Sequence, residues 1–206
     1  KHFLILNLQI KIMKNINYTS IEANKALLLF LLINKMKYKN IVNIILEQIK
    51  NDLDENGFHK SINPCLQAEY INHLYEIKNM FLYFKIDNSD YIESKIMIMS
   101  AVLKNLFHKD GSIAFFNGSN NANAEIINRI NKLYKDIKTK KLTNIKNGIA
   151  VHDKNKLKIF FDITKPSNKL LNQNLHSGTL SFEMSYDKEK IITNCGSIEK
   201  RVGKKP

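Results

Sequence analysis

Residues 148–163 read GIAVHDKNKLKIFFDI, and the hydrophobic period of the chain changes there. Apolar residues such as Leu157 and Ile159 recur at every second position, which is typical of a β-strand whose apolar face is packed. Residues 153–155 (DKN) supply turn chemistry between two such runs and predict a hairpin. Before about residue 140 the apolar spacing is helical. The sequence therefore predicts an α+β protein, with helices followed by antiparallel strands.

In the helical part, apolar residues recur every three or four positions in successive segments. Thr19 with Glu22 has the form of a capping box, and Asn63-Pro64 has the form of an N-cap followed by proline at the first helical position. Helices are predicted over 3–13, 22–33, 40–53, from Pro64 to about Phe84, over 90–107 and over 122–137. The helix that follows Pro64 carries Leu66, Tyr70, Leu74, Ile77, Phe81 and Phe84 on one stripe.

Two of these helices end in similar glycine turns. The segment Asn56-Gly57-Phe58 follows one helix, and Asp110-Gly111 follows another 54 residues later. Each turn precedes an extended stretch, an Asn-rich turn and a new helix. Helical hairpins that recur about every 50 residues predict a stacked or toroidal all-α array.

After the hairpin, apolar and polar residues alternate again at Leu180, Phe182 and Met184, and a further strand is predicted to begin at Ile191. The Lys-rich residues 138–146 are the predicted linker. We therefore predict an all-α domain over residues 1–140 and the first strands of an antiparallel β domain over residues 141–206.

The net charge of +13 does not by itself indicate nucleic-acid binding. Lys, Ile and Asn make up 86 of the 206 residues, and only two of the 32 basic residues are Arg. These three residue types have A/T-rich codons, so codon composition explains the excess of Lys. A nucleic-acid groove would favour Arg on a clustered basic face. We predict no nucleic-acid partner, while the charge remains compatible with an acidic one.

The longest apolar run, residues 26–33, is eight residues long. A membrane helix needs about 20, so no membrane span is predicted in this sequence. Lys1 is not an initiator methionine, and the chain is interpreted as a fragment of a longer protein. The compartment stays open for this reason: periplasm or cell envelope if the longer protein carries a signal peptide, and cytoplasm otherwise.

Three segments occur in the order found in one family: residues 56–64 (NGFHKSINP), 110–118 (DGSIAFFNG) and 176–185 (HSGTLSFEMS), the last followed by NCG at 194–196. They resemble heparinase II/III-like polysaccharide lyases, and the resemblance covers roughly residues 20–200. It implies an incomplete α/α toroid followed by an antiparallel β-sandwich. This agrees with the architecture that the periodicity predicts independently.

The resemblance also implies a chemistry, which is β-elimination on a uronic-acid-containing anionic polysaccharide. A base removes the C5 proton, an Asn or His neutralises the neighbouring carboxylate, and a Tyr or His protonates the leaving oxygen. His59 and His176 are the catalytic residues that the family segments suggest here. The implied substrate-binding residues are Asn56, Asn63, Gln67, Asn117 and Asn174.

Several polar positions of the family pattern are substituted in this sequence, which implies a divergent active site without metal or cofactor. A single His is too poor a ligand set for zinc. The substitutions are Tyr18-Thr19 for an Asn-His pair, Leu66-Gln67 for a Tyr-His pair, Asn174, His176 and Gly178 for His-x-His-x-Asp, and Asn194 for a zinc-ligand Asp.

Each candidate also has a structural interpretation. His59 could be a loop histidine bonded to the start of the next helix, His176 could support its strand, and Tyr70 could be either a proton donor or a core residue. His108, at a helix end, is predicted to lie at the surface. Three functions follow: a carbon–oxygen lyase with a rearranged site, a catalytically silent protein that binds anionic glycans or envelope polymers, and a helical-repeat scaffold for protein partners.

The metal prediction can be tested directly. After dialysis against a chelator, we expect elemental analysis to find no stoichiometric zinc, because His176 lacks the paired histidine and the aspartate of the family pattern. Zinc retained at one equivalent would contradict this and would point to Asn174 or to a distant residue as the missing ligand.

Overall fold

The computed structural model describes residues 20–119, 123–138, 142, 148–164 and 180–195. The predicted helix at 3–13 and most of the predicted linker lie outside these ranges. The described elements are α1 (Ile21–Ile33), α2 (Lys39–Asp52), α3 (Pro64–Tyr83), α4 (Ser89–Leu103), a 3-10 turn (Lys104–Leu106), α5 (Ala124–Leu133), β1 (Ile149–Lys154), β2 (Leu157–Asp162), β3 (Phe182–Tyr186) and β4 (Glu189–Ile192). The α+β class predicted from the sequence is confirmed. None of the described helices is long and apolar enough to cross a membrane.

The chain divides into two compact units. The first comprises Lys1–Leu53 and His73–Ser94, and the second comprises Asp54–Asn72 and Lys95–Pro206. This division follows packing within the chain. The domain boundary at residues 140–141 stays a prediction.

The first unit contains α1 and α2, whose buried faces follow the predicted helical spacing. Ile41, Ile45 and Ile49 of α2 are all buried. The N-cap of α1 is Ser20, one position after the Thr19 of the predicted capping box, and the Ser20 hydroxyl accepts a hydrogen bond from the backbone N–H of Glu22 at 3.2 Å. A serine at this position satisfies one of the N–H groups that the first turn of a helix leaves without a partner.

Helix α3 buries the middle of its predicted stripe but not the ends. Tyr70, Leu74, Ile77 and Phe81 are at most 5% exposed, whereas Leu66 is 43% exposed. In α4 and the 3-10 turn, the apolar residues at helical spacing are buried: Ile92, Ile96, Met99, Leu103 and Leu106.

In the second unit, an apolar core of described residues joins the glycine turns to the sheet. The side chains that follow α2 and α4 pack together with residues of β1 and β2 in this core. Its members are Phe58, Ile62, Val102, Leu106, Ala114, Phe116, Leu142, Ile149, Val151 and Phe160.

The four strands form one antiparallel sheet in the order β1-β2-β3-β4, and the predicted hairpin is confirmed by the pairing of Lys154 with Leu157. The alternation is also present, but in β2 and β3 its buried phase is the opposite of the expected one. Phe161 and Phe182 are 42% and 39% exposed, whereas Asp162 and Glu183 are each 1% exposed. The buried side of the sheet therefore carries polar groups, which need partners from the rest of the unit.

The predicted repeat is present in the backbone hydrogen bonds. In turn 54–58 the Asp54 N–H donates to the Phe58 carbonyl at 2.9 Å, and the Gly57 N–H donates to the Asp54 carbonyl at 3.1 Å. In turn 108–112 the same two bonds measure 2.8 and 3.1 Å. The fourth residue is glycine in both turns, Gly57 with φ of +94° and Gly111 with φ of +85°. The two turns are therefore built alike, 54 residues apart.

These two glycines provide a matched test of backbone strain and packing. Both Gly→Ala variants force alanine into the left-handed region, which costs about 1 kcal/mol. Only at Gly57 does the new Cβ also meet a neighbour, at 2.5 Å from Ile98 Cγ2; at Gly111 nothing lies within 4 Å. We expect Gly57→Ala to lose roughly 2 kcal/mol more unfolding free energy than Gly111→Ala in chemical denaturation. Equal losses in the two variants would contradict this packing.

Candidate functional site

His59 lies directly after the first glycine turn, before α3, and is 9% exposed. Its Nδ1 accepts a hydrogen bond from the Ser61 backbone N–H at 3.2 Å and lies 2.8 Å from the Ser61 hydroxyl. We therefore assign the proton of the neutral imidazole to Nε2. The ring centroid lies 4.8 Å from that of Tyr70, with an angle of 44° between the ring planes. The structure thus places an imidazole and a phenol side by side.

Gln67 holds the backbone on which His59 sits. The Gln67 Oε1 accepts from the His59 backbone N–H at 3.2 Å, and its Nε2 donates to the carbonyl oxygens of Gly57 and Met99 at 3.2 and 3.0 Å. The residue is 1% exposed. Direct contact between Gln67 and a substrate stays a prediction, and it would require the amide to leave these three interior bonds.

Asn63 and Asn117, both predicted to bind substrate, form a reciprocal clasp between the two repeats. The Asn63 Nδ2 donates to the Asn117 carbonyl and the Asn117 Nδ2 donates to the Ile62 carbonyl, each at 3.0 Å. The Asn63 Oδ1 also accepts from the backbone N–H of Cys65 at 2.9 Å, which caps α3. The sequence predicted these two asparagines as site residues, and the structure brings them together.

Asn56 belongs to the first glycine turn. Its backbone N–H donates to the Asp54 Oδ1 at 2.9 Å, and the residue is half-buried. Its role in substrate binding stays a prediction. The predicted site residues His176 and Asn174 lie outside the described residues.

Asp162 is a titratable residue near the clasp that the sequence did not single out. It is 1% exposed and accepts a hydrogen bond from the Thr164 backbone N–H at 2.9 Å. Burial raises the pKa of the Asp162 carboxyl, and the hydrogen bond from the Thr164 backbone N–H opposes that rise. The sequence shows Asp162 as a carboxylate within an apolar strand. The strand phase assumed from the sequence places this side chain on the solvent side, which is wrong.

His108 does not lie at the surface, contrary to the prediction. Its side chain is fully buried, and its Nε2 lies 2.8 Å from the Oε2 of Glu183, which is also buried. The imidazole ring packs edge-on against Phe160, with 4.7 Å between centroids. The error has a physical cause, because the partner of His108 is 75 residues away in the sequence and helix-end statistics do not report it.

Asn194, at the position where the family resemblance implies a zinc ligand, acts as a structural tie in this structure. Its backbone N–H donates to the Glu183 Oε1 at 2.8 Å, and its Nδ2 donates to the Phe115 carbonyl at 2.8 Å. Within the described ranges, no three His, Cys, Asp or Glu side chains come together as a metal site.

Comparison with known proteins agrees with this architecture. Residues 145–201 match the protein-family model for the heparinase II/III-like C-terminal region. The crystal structure of a heparinase III is similar with a TM-score of 0.68 at 13% identity, over 85% of this chain and 34% of that chain. The heparan sulfate lyase HepC from Pedobacter heparinus gives 0.60 at 13% identity, over 85% and 32%. Among curated proteins, no sequence matches the chain significantly.

These findings confirm the resemblance inferred from the sequence. The chain shares its fold with part of the heparinase III structures, and it spans about a third of their length. At 13% identity the likeness concerns the fold, so the activity of the chain is a separate question.

The tie made by Asn194 predicts the cost of restoring an acidic residue at this position. In Asn194→Asp the donor to the Phe115 carbonyl is lost, and a carboxylate comes to lie beside that oxygen and near Glu183. Asn194→Ala loses the bond without adding charge. We expect losses in unfolding free energy of about 2 kcal/mol for the aspartate variant and about 1 kcal/mol for the alanine variant. An aspartate variant as stable as the natural chain would contradict this reading of the tie.

Proposed function

We propose that the chain is part of a heparinase II/III-like polysaccharide lyase with a divergent active site, which acts by β-elimination on a uronic-acid-containing anionic polysaccharide. The supporting observation is the shared fold with a heparinase III and a heparan sulfate lyase over 85% of the chain. Fold alone does not determine an activity, so the proposal also depends on the site residues.

His59 and Tyr70 supply two of the three groups that the reaction needs. With its proton on Nε2, His59 donates a hydrogen bond to the uronate carboxylate, which makes the C5 proton more acidic. The Tyr70 phenol, 4.8 Å away between ring centroids, donates its proton to the departing glycosidic oxygen, and His176 takes the C5 proton as the base. Ser61 and Gln67 are positioning residues, because they hold the imidazole ring and the backbone of His59. His176 remains the second catalytic residue that the resemblance suggests.

The second candidate is a catalytically silent protein that binds an anionic glycan or an envelope polymer. One observation favours it: where the family resemblance implies a Tyr-His pair, the chain has Leu66-Gln67, and the Gln67 amide is fully engaged in interior hydrogen bonds. The same polysaccharide would bind without being cleaved.

Elimination creates a 4,5-unsaturated uronate that absorbs in the ultraviolet, so it can be followed directly. We expect weak activity on heparan, alginate or chondroitin that falls at least tenfold in His59→Ala, a loss of about 1.4 kcal/mol of transition-state stabilisation. Tyr70→Phe should fall similarly, because it removes only the hydroxyl. His152→Ala, an exposed histidine, and Tyr75→Phe are the matched controls and should retain activity.

Two outcomes would contradict the proposed residues or favour the second candidate function. Full activity in both His59→Ala and Tyr70→Phe, with melting temperatures unchanged, would show that these are the wrong residues. Binding of the polymers without any gain in absorbance would favour the silent glycan-binding protein.

A further inference from the structure

Four side chains, one from each strand, form a row across the buried side of the sheet, near the second glycine turn. The antiparallel register places Asp153, Lys158, Ser185 and Lys190 opposite one another on the four successive strands. Directly opposed residues have Cβ atoms about 5 Å apart. Ser185 is 1% exposed and the Lys158 side chain is 8% exposed. A lysine is thus buried next to a buried hydroxyl.

The positive charge of Lys158 is incompletely compensated. Its Nζ lies 3.4 Å from Asp153 Oδ2, but the same carboxylate lies 3.6 Å from the Nζ of Lys109 and is 46% exposed. Burial lowers the pKa of Lys158, and Lys109 adds to this while Asp153 opposes it. Two ammonium groups therefore share one largely hydrated carboxylate. Lys190, the other lysine in the row, has its Nζ 5.3 Å from the centre of the Phe115 ring.

Two buried polar atoms, one on β3 and one in the second glycine turn, have no hydrogen-bond partner among the described residues. They are Ser185 Oγ and His108 Nδ1, both fully buried. His108 and the Lys158 ammonium flank one ring, with the Phe160 centroid 4.7 Å from the imidazole and 5.4 Å from Nζ. Glu183, which binds the other nitrogen of His108, lies two residues before Ser185 on the same side of β3. The Ser185 hydroxyl and the Lys158 ammonium therefore border one region, next to the Phe160 ring that His108 also contacts.

We propose that this region, the Lys158–Ser185 site, binds an oxyanion, a carboxylate or sulfate group of the anionic polysaccharide named above. Lys158 and the Ser185 hydroxyl are donors to it. Charge-assisted bonds of this kind are roughly twice as strong as neutral ones. An oxyanion would give the orphaned Ser185 hydroxyl an acceptor, and a buried hydroxyl without one is destabilising. Only the identity of the ligand rests on the proposed function.

The first test uses sodium sulfate as the probe and thermal unfolding as the measurement. Ser185→Ala removes an orphaned buried polar atom, so it should melt at a higher temperature than the natural chain in anion-free buffer. The same variant should lose most of the saturable stabilisation by sulfate, while the non-saturating effect of this salt on any folded protein stays. The variant should therefore be more stable than the natural chain without sulfate, and it should gain less stability from sulfate. A serine with a purely structural role would not give this combination. An unchanged saturable response in Ser185→Ala would overturn the site.

The second test uses calorimetry with a heparan sulfate oligosaccharide. Lys158→Met keeps the aliphatic stem, and its affinity should fall about tenfold, which is about 1.4 kcal/mol. The matched control is Lys156→Met, which removes the same charge from an exposed side chain on the same hairpin and should change affinity less than twofold. Equal losses in the two variants would mean nonspecific attraction and overturn the proposal. A saturable sulfate effect without oligosaccharide binding would assign the site to a free oxyanion and overturn its polysaccharide ligand.

These outcomes are independent of catalysis. A chain that binds the oligosaccharide through Lys158 but gives no ultraviolet product retains the site and loses the lyase proposal. A chain that forms product equally well in Lys158→Met and the natural sequence, with equal affinity, loses the site and keeps the lyase.

Discussion

The buried carboxylate of Glu183 is the interaction on which the second unit depends. It accepts hydrogen bonds from the backbone N–H groups of Phe115 and Asn194 at 3.2 and 2.8 Å, and it pairs with Nε2 of His108 at 2.8 Å. The glycine turn, the extended stretch after it and the end of β4 thus all meet at one side chain. Because the group is 1% exposed, removing it would leave several buried donors without an acceptor, which is far more costly than losing a surface pair.

This arrangement explains why the strand phase was wrong in the sequence analysis. Period-2 alternation identifies a strand but does not say which face is buried, and the usual assumption is that the apolar face is inside. Here Glu183 and Ser185 face inward because the turn supplies partners for the carboxylate, while Phe161 and Phe182 stack on the other side at 5.8 Å. The helices were predicted better. The apolar stripe of a helix, such as the one through Leu74 and Ile77, lies on a single face, and that face is the buried one.

The residues of the candidate site also differ in whether their contacts are local or distant in the sequence. The position of His59 follows from local chemistry, because the turn, Ser61 and the first turn of α3 are all within ten residues. The clasp between Asn63 and Asn117 joins residues 54 positions apart. Only the repeat of the glycine turns hinted at it, because equivalent positions of stacked repeats lie side by side. The pairing of His108 with Glu183 had no signal of this kind.

The structure also explains why amides stand where the resemblance implies ionisable residues. At position 67 the side chain must accept from the His59 N–H and donate to two carbonyls. A carboxamide can do this without charge, whereas a neutral imidazole has one donor and one acceptor and would leave a buried carbonyl without a partner. At position 194 a donor is needed for the Phe115 carbonyl, which a carboxylate cannot supply. The same hydrogen bonds that hold these loops in place therefore exclude from both positions the ionisable side chains that the resemblance implies.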